Sequence, residues 1–256
     1  MKQILGLLFS ITTLATPIWA QDGAQTLSLS PAVVMLRGEL GQSATQTLTL
    51  SNATELPFEF ALVAEDVVVR DGKRVFVPAG ELAGSIAATA VFSSKRVTIP
   101  AGKHASIEVT VTLPPNATSR AVVVLFRGVN EVMSGNTPMT ASLGTLLTFK
   151  ISDDTQLTVQ PAVVRPQTST VNVGVVQRGT NEGAEPLVAK AVMAVIDAQG
   201  KLVGTSAIEP RRLLPGEVSE FHGEYDGELP PGRYRLLLTY DYEGKSLTET
   251  VELTVP

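Results

Sequence analysis

The chain has 256 residues, of which 44% are hydrophobic and 18% charged, with a mean hydropathy of +0.20; this excludes a disordered or highly charged polypeptide. A net charge of −5 argues against nucleic acid or anionic lipid as the main partner, and the absence of cysteine removes disulfides, thiolate metal sites and cysteine nucleophiles. Only 5% of the residues are aromatic, so the core must come from Val, Leu, Ile and Ala, and the length suits two small domains.

Residues 1–20 read MKQILGLLFSITTLATPIWA. Lys2 precedes an apolar run from Ile4 to Leu14, and Pro17 breaks it before Ile18-Trp19-Ala20, the three-part layout of a secretory signal peptide. Cleavage after Ala20 is expected, which puts the mature chain in the periplasm, with the cell surface as the alternative. A retained N-terminal anchor is the competing reading of this segment. No cysteine follows that would take a lipid, and no second apolar run reaches the ~18–20 residues of a span. No stable transmembrane anchor is therefore expected after cleavage.

From Gln25 onward the hydrophobic period is two. Residues 26–30, 46–51 and 106–113 alternate polar and apolar side chains, which buries one face of a strand and wets the other. Residues 121–126, Ala-Val-Val-Val-Leu-Phe, are apolar throughout, as expected of a strand covered on both faces. Turn signals separate the runs at Asp71-Gly72, Pro100-Ala-Gly102, Pro114-Pro115-Asn116, Gln199-Gly200, Pro215-Gly216 and Pro230-Pro231-Gly232. Glu81 to Ala90 is at best a short helical turn. Two sequons, at Asn52 and Asn116, read as turn chemistry. The pattern predicts an all-β chain of β-sandwiches.

A repeat sharpens this. Pro100-Ala-Gly102 opens an alternating strand that ends at Pro114-Pro115, and Pro215-Gly216 opens another that ends at Pro230-Pro231; each Pro-Pro is followed by a strongly apolar strand. Two tandem immunoglobulin-like domains follow, with residues 21–160 as the first and 161–256 as the second. The boundary falls near Gln160-Pro161. Tyr234 stands where a tyrosine-corner hydroxyl would tie the preceding loop.

The order of motifs in the first domain resembles that of the periplasmic pilus-assembly chaperones. The matching pieces are Leu27-Ser-Leu-Ser-Pro31, Gln46-Thr-Leu-Thr-Leu-Ser-Asn52 before Leu56-Pro57, Val97-Thr-Ile-Pro-Ala-Gly102, residues 107–113, residues 120–127 and Leu143-Gly-Thr-Leu-Leu-Thr-Phe-Lys-Ile151. The second domain looks like the C-terminal partner of related secreted proteins through residues 196–201 and 213–242. The resemblance implies a non-enzymatic, chaperone-like protein that holds an extracytoplasmic subunit by strand addition beside the interdomain cleft. Main-chain hydrogen bonds then supply affinity, and alternate side chains supply register. It implies Leu147, Phe149 and Ile151 as partner-strand contacts and Arg37 and Lys150 as carboxylate anchors. Alignment from Ser51-Asn52 puts the first anchor at Leu36, beside Arg37, and alignment from Pro161-Ala-Val-Val164 puts the second at Gln156. The other reading is a structural or surface-interaction module that binds a cell-envelope component without chaperone activity.

Catalytic signatures are missing. His104 and His222 each sit beside a turn in a polar run and read as solvated. There is no G-x-S-x-G, H-E-x-x-H, P-loop or dinucleotide fingerprint. Glu65-Asp66 and Asp153-Asp154 are adjacent in sequence, and neighbours on a strand point to opposite faces, so neither pair forms a two-carboxylate site. No catalytic residue, metal site or cofactor is expected.

Overall fold

The computed structural model describes residues 26–134, 137–165 and 172–256; the signal segment lies outside them. The first part of the chain forms β1 (Leu27–Ser30), β2 (Val33–Arg37), β3 (Ser43–Asn52), β4 (Phe58–Arg70), β5 (Lys73–Pro78), β6 (Val91–Phe92), β7 (Arg96–Ile99), β8 (His104–Thr112), β9 (Ala121–Gly128), β10 (Val132–Ser134), β11 (Thr137–Met139) and β12 (Ser142–Lys150). The second part forms β13 (Leu157–Val159), β14 (Val163–Arg165), β15 (Val173–Asn181), β16 (Leu187–Asp197), β17 (Leu202–Leu213), β18 (Val218–Tyr225), β19 (Gly232–Tyr242) and β20 (Lys245–Val255). One 3₁₀ turn, Ala87–Thr89, falls within the stretch expected to be briefly helical.

Each part is a sandwich of two sheets. In the first, β1-β3-β8-β6 faces β2-β12-β9-β4-β5, with β7 also paired to β4. In the second, β17-β16-β19-β20 faces a sheet in which β15 carries β13 and β14 along one side and β18 along the other. The strand orders superpose, with β3, β4, β8, β9 and β12 matched by β15, β16, β18, β19 and β20. This is the tandem immunoglobulin-like, all-β architecture expected from the period and the repeat.

The alternating strands behave as their pattern dictates. Leu48 and Leu50 of β3 are fully buried, while on the opposite face Ser43, Thr45 and Thr49 meet Thr112, Thr110 and Ser106 of β8 in hydroxyl pairs. The uninterrupted run in β9 is covered twice. Val122, Val124 and Phe126 enter the first core, with Phe126 edge-on to Phe60. Ala121 and Val123 face outward but pack with Val67, Leu146 and Leu214, the last contributed by the second sandwich. Sequence alone showed that both faces are apolar; the structure shows that the second cover is the other domain.

The chain enters the second sandwich earlier than Gln160-Pro161. Leu157 already belongs to the second core, and β13 pairs with β15. Pro161 lies between β13 and β14, where the missing N–H interrupts pairing within that domain rather than between domains. The crossing segment is pressed against the loop after β15: a Cβ on Gly183 would stand 2.5 Å from the Asp154 carbonyl oxygen. Tyr234 does tie its loop, its hydroxyl donating to the Pro230 carbonyl at 2.8 Å.

Candidate partner-binding site at the interdomain cleft

Strand β12 positions the site. One neighbour is β9, antiparallel; the other is β2, parallel, in the register Leu146↔Val33 through Lys150↔Arg37. The chain leaves β1 in one sheet and continues as β2 in the other, which sets β2 alongside β12. Alternation then sorts the side chains. Leu147 and Phe149 turn inward with Val34 and Leu36, and Leu146, Thr148 and Lys150 turn outward.

Arg37 and Lys150 are therefore register partners on the outward face, at the end of the sheet nearest the second sandwich. Leu36, the alternative first anchor, packs against the first core. Gln156, the alternative second anchor, is exposed, and its carbonyl accepts from Glu182 of the second sandwich. Of the four positions, the structure brings together Arg37 and Lys150 only.

The Lys150 side chain is 2% exposed, a burial that an ion tolerates only when paired. Its partner comes from the second sandwich: Nζ lies 2.7 Å from Glu243 Oε2, and 3.5 Å from Asp153 Oδ1. Arg37 reaches the same two carboxylates, at 3.8 and 3.5 Å, but is largely exposed, so its contacts are weak. On the solvent side of these cations lies a cleft of about 420 Å³, bounded by Gly38, Glu39, Gln42 and residues 151–153.

A second layer fixes the end of β12. Glu185, from the loop after β15, accepts from Ile151 N at 3.1 Å and from Ser152 Oγ at 3.2 Å, and it pairs with Arg120 at 3.5 Å. Arg212 donates to Thr148 Oγ1 at 3.2 Å. Arg74 Nη2 donates to the Arg212 carbonyl at 2.7 Å, and Arg74 pairs with Glu217 at 2.8 Å. Burial, reinforced by the neighbouring Arg74 charge, holds the Arg212 guanidinium below its usual pKa, and Glu243 partly offsets this.

The expected partner contacts fall in a different environment. Leu147 and Phe149 are buried in the first sandwich's own core, and Ile151 packs against that core. What β12 leaves open lies earlier: among the described residues, no strand pairs with Ser142–Thr145 on the side that β2 covers from Leu146 onward. Leu146 N donates toward the β2 side, to the Ala32 carbonyl, so by alternation the N–H groups of Ser142 and Gly144 face the open edge.

The histidines and the Glu65-Asp66 pair lie elsewhere. His104 and His222 are exposed, the latter 3.4 Å from Glu220. Glu65 pairs with Arg127, whereas Asp66 is fully buried and accepts from Ser85 Oγ, Ile86 N at 2.8 Å and Ala87 N at 3.1 Å. It caps the 3₁₀ turn. Among the described residues, no group of three or more His, Asp or Glu is arranged to hold a metal ion, and no helix is long and apolar enough to cross a membrane.

Sequence reasoning missed Glu243, Glu185 and Arg212. Glu243 carried one signal, its position in Glu243-Gly244 between two alternating strands, the spacing of a two-residue hairpin.

No protein-family model matches the chain, and no curated protein matches it. Solved structures do resemble it. The class 5 fimbriae chaperone CfaA covers 90% of this chain with all of its own, at 13% identity and a TM-score of 0.45. The chaperone–tip complex CsuC–CsuE from Acinetobacter baumannii covers 90% with 99% of the matched chain, at 11% identity and a TM-score of 0.44. The Pseudomonas aeruginosa chaperone CupB2 covers 90% with all of its own, at 13% identity and a TM-score of 0.41. At these scores the likeness assigns neither partner nor activity.

Proposed function

We propose that this is an exported, non-enzymatic, chaperone-like protein that holds an extracytoplasmic protein subunit of the pilus type. The subunit adds a strand to the open edge of β12, and its terminal carboxylate meets Arg37 and Lys150 at the cleft. The observation that carries the reading is the register pairing of Arg37 with Lys150, which sets two cations side by side at the end of a strand whose other half lies uncovered. An ammonium and a guanidinium in a partly desolvated cleft bind a carboxylate more strongly than surface charges do. The uncovered N–H groups of Ser142 and Gly144 supply the ladder.

One observation favours a surface-interaction module instead. Leu147 and Phe149 are spent in the protein's own core, so register would have to come from the shorter segment before them.

Gentle purification of the full-length protein from its native envelope, beside an Arg37→Ala/Lys150→Ala variant, separates the two. The chaperone reading expects a small, exported, β-rich subunit in near-stoichiometric amount with the parent and its loss from the variant. A partner-free monomer, or envelope fragments retained equally by both forms, overturns it in favour of the module.

A further inference from the structure

The carboxylate nearest the anchor is the protein's own. Glu243 reaches across from the second sandwich and takes the shortest bond the Lys150 ammonium makes, while Asp153, at 85% exposure, stays at the rim. Glu243 also touches Arg37. It thus occupies the point where an incoming carboxylate would meet both cations.

The backbone at Glu243 runs against the local preference of its residue type. Tyr242 pairs with Lys245 across a two-residue turn, with φ +46 at Glu243 and +78 at Gly244. The first sandwich has the same turn at Asp71-Gly72, with φ +51 and +73, and there the first position holds Asp. Asn, Asp and Gly accept left-handed φ readily; Glu does not. A residue held in a sparsely populated conformation points to a role for its side chain.

Glu243 has somewhere else to go. Arg212 stands in the same interface, and among the described residues it makes no ion pair within 4 Å, donating only to Thr148 and to no carboxylate. Its guanidinium feels the Glu243 charge and the repulsion of Arg74. Moving Glu243 from Lys150 toward Arg212 would exchange a buried cation for a half-buried one rather than strand a bare carboxylate.

We propose that Glu243 is an internal competitor for the Arg37–Lys150 anchor, seated on Lys150 until a client carboxylate displaces it toward Arg212. This rests on the carboxylate-anchor reading above. A competing internal ligand lowers the apparent affinity by the fraction of molecules in which the anchor is free. Clients that hold on only through their carboxylate are thereby penalised, and those that also pair along β12 are retained. Release of the Lys150–Glu243 bond also uncouples a contact between the sandwiches, so binding and domain angle are linked.

The test uses the full mature chain and a synthetic ten-residue peptide of alternating apolar and polar residues, made with a free or an amidated C-terminus. Glu243→Gln removes the charge with little change of shape, and Glu243→Asn removes it while suiting the turn, so at least one folded variant is available. Both are expected to bind the free-acid peptide about tenfold more tightly than the parent, and the amidated peptide no more tightly. In the parent, the side-chain carboxylate NMR resonance of Glu243 shifts on addition of the free-acid peptide. Equal affinity in parent and variants, with the free acid still preferred to the amide, overturns the competitor and leaves the anchor standing. No preference for the free acid in any form, or no binding at all, overturns the anchor and the competitor with it.

Discussion

Asn52 and Asn181 close the same corner of their respective sandwiches. Each ends a strand five residues before a proline, Pro57 or Pro186. The Asn52 amide donates to the Leu56, Ile99 and Pro100 carbonyls at 2.7, 3.1 and 3.1 Å, and Asn181 to those of Glu185 and Leu213 at 2.8 and 3.1 Å. Each side-chain oxygen accepts from the backbone two residues on, Thr54 N at 3.0 Å and Gly183 N at 3.1 Å. The Asn52 sequon is thus turn chemistry, as its sequence setting suggested.

Asn52→Ala and Asn181→Ala leave buried carbonyls without donors. Each is expected to cost about 2–3 kcal/mol, and the double variant about the sum, because the two corners share no partner. Urea unfolding of the three variants checks both figures. Unequal partial losses with two transitions would show that the domains unfold separately.

Phe149 and Ser142 lie on one strand but answer different questions. Phe149→Ala empties a core position and is expected to cost about 3 kcal/mol or more, so lost capture in that variant reports unfolding. Ser142 is exposed on the open edge. A photo-cross-linking side chain there is expected to trap the subunit without changing stability, and the same group at the exposed Val163, in the second sandwich, is expected to trap none.

Tyr240 gives a stability signature in alkali. It is fully buried, its hydroxyl donating to Gln177 Oε1 at 2.5 Å. Burial, with the Glu249 charge adding to it, pushes its phenol well above the ordinary range. Because the folded value is raised, its stabilising contribution is intact below the unfolded value near pH 10 and falls as pH rises beyond it, by about 1.4 kcal/mol per pH unit. Tyr240→Phe is expected to cost about 1–2 kcal/mol at pH 7 and to flatten that decline. Unfolding midpoints at pH 8 to 11 for both forms decide it.

The period of two, the turn residues and the Pro-Pro repeat are local, and they carried the architecture. The Leu147/Lys150 alternation was legible for the same reason: neighbours on a strand must face opposite ways. The Arg37–Lys150 pairing depends on a parallel contact between segments more than a hundred residues apart, which no local pattern encodes. Leu36 and Arg37 could be assigned to core and cleft only once that register was known. Asp66 read only as one half of an adjacent acidic pair whose members face opposite ways; its capping role was not legible because its partners are mostly backbone N–H groups, which sequence does not display. Glu243 was hidden by its own ordinariness, an exposed-looking acid in a turn whose importance lies in the other domain.

The boundary between covered and uncovered β12 acts as a ruler. From Ser142 to Thr145 the open edge measures about 13 Å at ~3.3 Å per residue, too short for a stable ladder by itself. Beyond it, among the described residues, β10 and β11 pair only with each other, as a separate two-stranded ribbon in the connection between β9 and β12. The position of β2 therefore sets where a guest strand must leave the β12 ladder, short of Lys150, so that its last residues have to cross the outward face to reach the two cations.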